Sequence, residues 1–268
     1  MRVNGTELHV EDSGGDGPPI LFMHGLLWST RMFAPQIERL KPKYRCIAYD
    51  HRNQGKSAPD AAPVVGIETC TDDALALLDV LGIESCHLVG LSMGGFVAMR
   101  LAARHPGRTK KLVLIETSAE PEPPENVPKY EKMILVARVF GLRPLVGRVM
   151  PIMFGRSFLT DPAREADRKV WRAELSGNAR GIVRSVRGVI ERSPIESELG
   201  NVRAPTMVIV GDEDVATVPA KAERIVSRIA GATLVRVARA GHTSTIEAPG
   251  PVSDAIEQFL AAPGGLRP

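Results

Sequence analysis

No apolar run of about eighteen residues occurs anywhere in the chain, so the sequence offers no membrane span. The opening stretch "MRVNGTELHVEDSGG" is polar from its first residues and lacks the apolar core of a signal peptide. An excess of one charge is lacking too. A net +3 spread over 268 residues builds no basic face for nucleic acid. Cysteine is scarce: Cys46, Cys70 and Cys86 are odd in number and show no metal-ligand spacing. Cys46 and Cys86 flank strand-like runs, where a small buried thiol fits. No internal repeat and no low-complexity tract is present. These absences point to a protein of the reducing cytoplasm, with neither a metal nor an organic cofactor.

What is present is ordinary globular composition, 44% hydrophobic and 24% charged, in a chain long enough to bury a sizeable core. "RVNGTELHV" alternates around Asn4-Gly5, a two-residue hairpin signal. Short apolar runs then alternate with helical patterns. Strands are predicted at 18–25, 44–50, 86–90, 111–116, 205–211 and 232–237. Helical spacing marks 30–40, 69–83 with Thr71 as its cap, 93–107, and stretches near 219–230 and 250–261. Strand–helix alternation with continuously apolar strands predicts a mostly parallel sheet covered on both faces.

Between about 121 and 200 that alternation stops. "PEPPENVP" leads into helical patterns with no convincing strand, carrying 14 Lys/Arg against 10 Asp/Glu. An insertion there would lie over the carboxyl edge of the sheet, where open α/β sheets bind ligands. The expected division is therefore a core of 1–120 with 201–268 and a helical cap of 121–200.

The chemistry starts at "GLSMGG". Ser92 follows a predicted buried strand and opens a helix, and glycines at 90 and 94 permit a turn too tight for side chains. This is the G-x-S-x-G nucleophile elbow in its required strand–turn–helix setting. The helix N-terminus adds the Met93 amide and a positive dipole end. A serine hydroxyl needs a base. Of six histidines, His9, His87 and His105 have structural explanations, His24 ends a strand, and His51 lies in the polar loop "DHRNQGKS". His242, in the glycine-led loop "AGHTSTIEAP" after the last predicted strand, is the candidate base. An acid must orient the imidazole. Asp212, Glu213 and Asp214 all follow a core strand at the edge that carries Ser92, and Glu116 competes from the end of "KLVLIE".

"MHGLLWS", "DHRNQGKS", "GLSMGG" and "GDEDVATVP" followed by "GHT" occur in the order found in the α/β-hydrolase fold superfamily. The chain resembles that superfamily over essentially its whole length. The resemblance implies a doubly wound, mostly parallel sheet of about eight strands, with the cap inserted after the sixth. It implies Asp214 as the acid, the Leu26 and Met93 amides as an oxyanion hole, and His24 as a loop-shaping residue. Asn53 stands where the family's D-x-R-G-x-G-x-S segment usually has glycine, and asparagine also tolerates left-handed backbone.

The implied activity is that of a carboxylesterase-type serine hydrolase acting on a small-molecule ester through an acyl-enzyme. A serine nucleophile argues against haloalkane dehalogenases and epoxide hydrolases, and the "HGGG" oxyanion loop is missing. Enol-lactonases, carbon–carbon bond hydrolases of aromatic catabolism and cofactor-free haloperoxidases are the alternatives. A non-enzymatic ligand receptor of the same fold is the alternative from a different class. Trp28 and Phe96 from the core, and Met133, Phe140 and Met153 from the cap, are the expected pocket residues.

Overall fold

Aliphatic runs bounded by turn residues become the strands of the computed structural model, which describes residues 1–263. The expected core extent therefore ends five residues beyond what is described. Strands β1 (Arg2–Val3) and β2 (Thr6–Glu7) form a separate ribbon. Asn4 and Gly5 both take positive φ between them, as a tight hairpin turn requires. The ribbon is shorter than the alternation predicted. Val10–Asp12 leaves it as β3 and pairs antiparallel with β5 (Arg45–Tyr49), where Arg45 grips Asp12.

The main sheet has seven strands in the order β3-β5-β4-β6-β7-β8-β9. It is completed by β4 (Pro19–Met23), β6 (Cys86–Leu91), β7 (Thr109–Ile115), β8 (Thr206–Gly211) and β9 (Thr233–Val237). All its pairings except that of β3 are parallel. This is the mostly parallel, doubly wound sheet expected.

Side chains alternate between two cores. Leu21, Met23, Leu88, Leu112, Leu114, Val208 and Val210 face α2 (Ile67–Val80), α3 (Met93–Arg104) and α9 (Pro219–Arg228). Ile20, Phe22, Val89, Leu91, Val113, Ile115 and Ile209 face α1 (Ala34–Leu40) and α11 (Pro249–Ala261) on the other side. The α2 cap differs from expectation: Gly66 precedes the helix, and Thr71 lies inside it, donating to the Ile67 carbonyl. At the far end Lys111 donates to the carbonyls of Phe259, Leu260 and Ala262, which closes α11.

Between β7 and β8 the regular structure is all helical. It runs through α4 (Val127–Phe140), α5 (Val146–Met153), α6 (Arg156–Thr160), α7 (Glu165–Gly177) and α8 (Val183–Ile190), joined by short 3-10 turns except between α5 and α6, where Phe154 and Gly155 are extended. These helices lie over the carboxyl ends of the strands and contribute Ala137, Leu145, Val149, Phe154, Phe158 and Leu175 to the second core. Asn53 binds the segment to the sheet edge from below, donating to the Gly181 carbonyl and to Ser185. Its φ is 64°, the left-handed geometry that asparagine bears with little strain.

Candidate active site

Ser92 stands between β6 and α3 with φ 50° and ψ −110°, a backbone conformation that costs energy for any residue but glycine. Its neighbours explain how the turn survives. A Cβ on Gly90 would strike the Gly94 carbonyl, and a Cβ on Gly94 would strike the Met23 carbonyl of β4. Only glycine at both positions lets α3 start this close to the sheet. The strain holds the Ser92 side chain at the rim of a cavity.

The structure brings Ser92, His242 and Asp214 into one line. His242 Nε2 lies 2.9 Å from Ser92 Oγ, and His242 Nδ1 lies 2.9 Å from Asp214 Oδ2. Asp214 is buried and fully engaged. Its Oδ1 accepts from the amides of Ala216 at 2.8 Å and Thr217 at 2.9 Å, and its Oδ2 from the Thr217 hydroxyl at 2.6 Å. Burial alone would raise this carboxyl, but the imidazole and the Thr217 bonds outweigh it and hold Asp214 well below the usual carboxylate range. With Nδ1–H donating to Asp214, Nε2 is left as the acceptor that faces the serine.

The other acids separate cleanly. Asp212 reaches outward to Arg236, and Glu213 accepts from the Ser157 amide and hydroxyl. Glu116 is fully buried beside Asp214, and its carboxyl meets the Gly211 amide at 2.9 and 3.0 Å. Burial first, and then the Asp214 charge, push the Glu116 carboxyl well above its ordinary value. It makes no hydrogen bond to His242, whose ring nitrogens face Thr217, Asp214 and Ser92.

His24 holds the neighbouring loop. Its Nδ1 donates to the Gly25 carbonyl at 2.7 Å, and its Nε2 accepts the His51 amide at 2.9 Å. The turn it shapes presses against the elbow, for a Cβ on Gly25 would meet the Ser92 Cβ at 3.6 Å. Among the described residues the Leu26 and Met93 amides have no acceptor, whereas the Leu27 amide donates to Gln54 Oε1. Gln54 also reaches Met93 Sδ through its Nε2, at 3.3 Å, so one buried amide ties the two turns together.

A cavity of about 130 Å³ opens at Ser92 and His242. Trp28, Phe96, Met133 and Met153 line it. Phe140 does not. It is 68% exposed at the last position of α4, one turn beyond the cavity, where the chain reverses at Gly141. The inward stripe of α4 is Tyr130, Met133, Ile134 and Ala137, at i, i+3, i+4 and i+7. Trp171 is set back from the cavity, edge-on to Trp28 with ring centroids 5.4 Å apart.

Glu247, at the end of α10 (Ser244–Glu247), is not legible in the sequence as a site residue. Its buried carboxylate accepts from the amides of Gly155 at 2.8 Å, Gly241 at 3.0 Å and Thr243 at 3.1 Å. It thereby fixes the His242 loop against the start of α6. The only hint was a glutamate placed in an otherwise apolar and hydroxylated stretch. Among the described residues no group of three or more His, Cys, Asp or Glu is gathered as metal ligands would be.

The family model of the α/β hydrolase fold matches residues 18–249. An enol-lactonase of Burkholderia xenovorans LB400 superposes with a TM-score of 0.89 at 30% identity, covering 96% of this chain and 98% of its own. A thermophilic esterase of Thermogutta terrifontis superposes with a TM-score of 0.87 at 29% identity, covering 95% and 93%. A relative from Caulobacter sp. (strain K31), provisionally named carbamate hydrolase RutD, is 26% identical over 95% of this chain and 96% of its own. With the elbow, the parallel sheet and the helical segment after β7 in the order that this family uses, the chain belongs to the α/β hydrolase fold family.

Proposed function

We propose that this protein is a serine hydrolase that cleaves carboxylic esters of small to medium acyl chains through an acyl-enzyme. The observation that carries the reading is the Ser92–His242–Asp214 line, with 2.9 Å at both junctions, at the mouth of a largely apolar cavity. His242 takes the Ser92 proton as Oγ attacks the ester carbonyl, and Asp214 steadies the imidazolium that forms. The Leu26 and Met93 amides receive the oxyanion, each worth about 3–4 kcal/mol to the transition state in comparable sites. Collapse expels the alcohol with the proton from His242. Water, deprotonated by the same histidine, then frees the acid.

The helical segment 121–200 is the cap of this site, set on a core of 1–120 and 201–268. The three free, buried cysteines suit a cytoplasmic setting. The structural likeness to an enol-lactonase favours a lactone as second reading, because ring opening by the same serine differs only in keeping the alcohol attached. A panel of p-nitrophenyl esters of increasing chain length, run beside lactones, tests both. Labelling by a fluorophosphonate at a serine other than Ser92 would overturn the assignment.

A further inference from the structure

The cavity wall is apolar except at one corner. Glu122, Tyr130 and Arg192 meet there, and apart from them, Thr217, whose hydroxyl donates to Asp214, and the reacting groups, the lining is hydrophobic or backbone. Arg192 is 7% exposed and lies over the Phe96 ring, 4.4 Å from its centroid. Three of its contacts are structural. Nε donates to the Glu120 carbonyl at 3.1 Å, and Nη1 donates to the Val189 carbonyl at 2.6 Å and to Glu122 Oε2 at 3.1 Å.

Nη2 has no acceptor among the described residues, yet it is not sealed away as a buried orphan. The Tyr130 hydroxyl is in the same state, unpartnered and unsealed. Glu122 is spoken for, with Oε2 on Arg192 and Oε1 on Asn126 at 2.8 Å. The corner thus offers two unused donors, Arg192 Nη2 and the Tyr130 hydroxyl, while each Glu122 oxygen already carries a donor.

Its charge sets what it can receive. Arg192 and Glu122 neutralise each other, so a carboxylate entering here would bring an uncompensated charge into a low-dielectric pocket. An uncharged oxygen brings none. A ketone oxygen has two lone pairs, matching an Arg N–H on one side and a Tyr O–H on the other. Left unfilled, such donors penalise a substrate that brings only methylenes.

Resting on the esterase reading above, we propose that Arg192 and Tyr130 form a specificity corner that binds a second, uncharged carbonyl oxygen carried on the acyl chain of the substrate. Phe96, which carries the Arg192 guanidinium, lies four residues after Ser92, about 6 Å along the axis of α3. The second carbonyl therefore lies several bonds from the scissile one, near the end of a medium-length acyl chain. The preferred substrate class is the oxo-acyl ester.

The test compares p-nitrophenyl hexanoate, its analogue with a ketone next to the terminal carbon, and its analogue ending in a carboxylate. The reading is the ratio of kcat/KM between substrates within each protein, which is independent of the fraction correctly folded. The ketone ester is expected to lead the plain ester by about tenfold, the effect of roughly 1.4 kcal/mol. Tyr130→Phe and Arg192→Lys should each pull that ratio most of the way to one. Equal rates for ketone and plain esters, or a ratio untouched by Tyr130→Phe, would overturn the proposal. A dominant rate for the carboxylate ester would also overturn it and make Arg192 a charge receptor. Calorimetric binding of the plain and ketone esters to Ser92→Ala separates this proposal from the esterase reading. No turnover by the parent with a surviving binding ratio would fail the esterase reading alone; a binding ratio of one would fail the corner.

Discussion

The carboxyl edge of the sheet and the helical segment above it are built on different terms. At the edge, each side chain proposed to react is held by surroundings that leave it little freedom: a strained serine between two obligatory glycines, and an aspartate with its lone pairs filled. The helical segment is held by side chains, through a stripe on one face of α4 and the bonds that Glu213 and Glu247 throw across to its backbone. It even leaves Leu135, Val139 and Phe140 exposed. Chemistry needs atoms fixed to a few tenths of an ångström, and backbone supplies that. Selectivity needs only a shaped wall, which side chains from several helices can supply.

That contrast predicts losses that fall steeply from the edge to the segment. Ser92→Ala should lower ester turnover by roughly 10⁴-fold or more with the fold intact. A thermal melt and a p-nitrophenyl ester assay check both halves, and retained turnover would remove the serine from the chemistry. Asp214→Asn should cost about 10²- to 10⁴-fold in kcat, since an amide beside Nδ1 favours the wrong tautomer. Asp212→Asn, which loses only an exposed partner in Arg236, should stay within about twofold, because an exposed pair contributes little. Equal losses in the two would break the assignment of the acid.

Gly94→Ala drives a methyl into the Met23 carbonyl and should cost about 3 kcal/mol of stability or prevent expression. A soluble variant with unchanged denaturant midpoint would show that α3 can retreat from the sheet.

Glu116 tests the edge by pH. Its carboxyl stays protonated in the fold above the ordinary 4.5 at which the unfolded chain ionises. Over that window the unfolded chain binds fewer protons than the folded one, so stability falls as pH rises, by up to about 1.4 kcal/mol per unit. Glu116→Gln removes this slope and should gain on the parent between pH 5 and 8 in paired melts. A variant that loses ground equally at both pH values would mean that Glu116 is an ionised, stabilising partner.

The smallest effect belongs to the segment. Phe140→Ser should change stability by less than about 0.5 kcal/mol and leave ester kinetics alone, because its ring faces solvent. A raised KM would mean that the end of α4 folds in over the cavity during turnover.

The parallel strands were legible because a strand covered on both faces must be apolar through its buried middle, and β4, Leu88–Leu91 of β6, Leu112–Ile115 of β7 and Met207–Gly211 of β8 are. The elbow was legible because its constraint is local: five consecutive residues carry the serine and both glycines. Phe140 misled because helical phase alone says which way a residue points, and it is in phase with Met133. Phase does not say where along its axis the helix leaves the cavity.

The sequence by itself determined the sheet, the elbow at Ser92, and a short set of residues from which base and acid had to come. Those are matters of pattern and spacing along the chain. Only the tertiary structure decided which acid meets His242, that burial beside Asp214 raises the Glu116 carboxyl, that Gln54 and Glu247 brace the loops, and that Arg192 reaches the cavity wall. Most of these depend on residues tens of positions apart coming within about 3 Å. Hydrogen bonding is decided by that last ångström, and no local pattern encodes it.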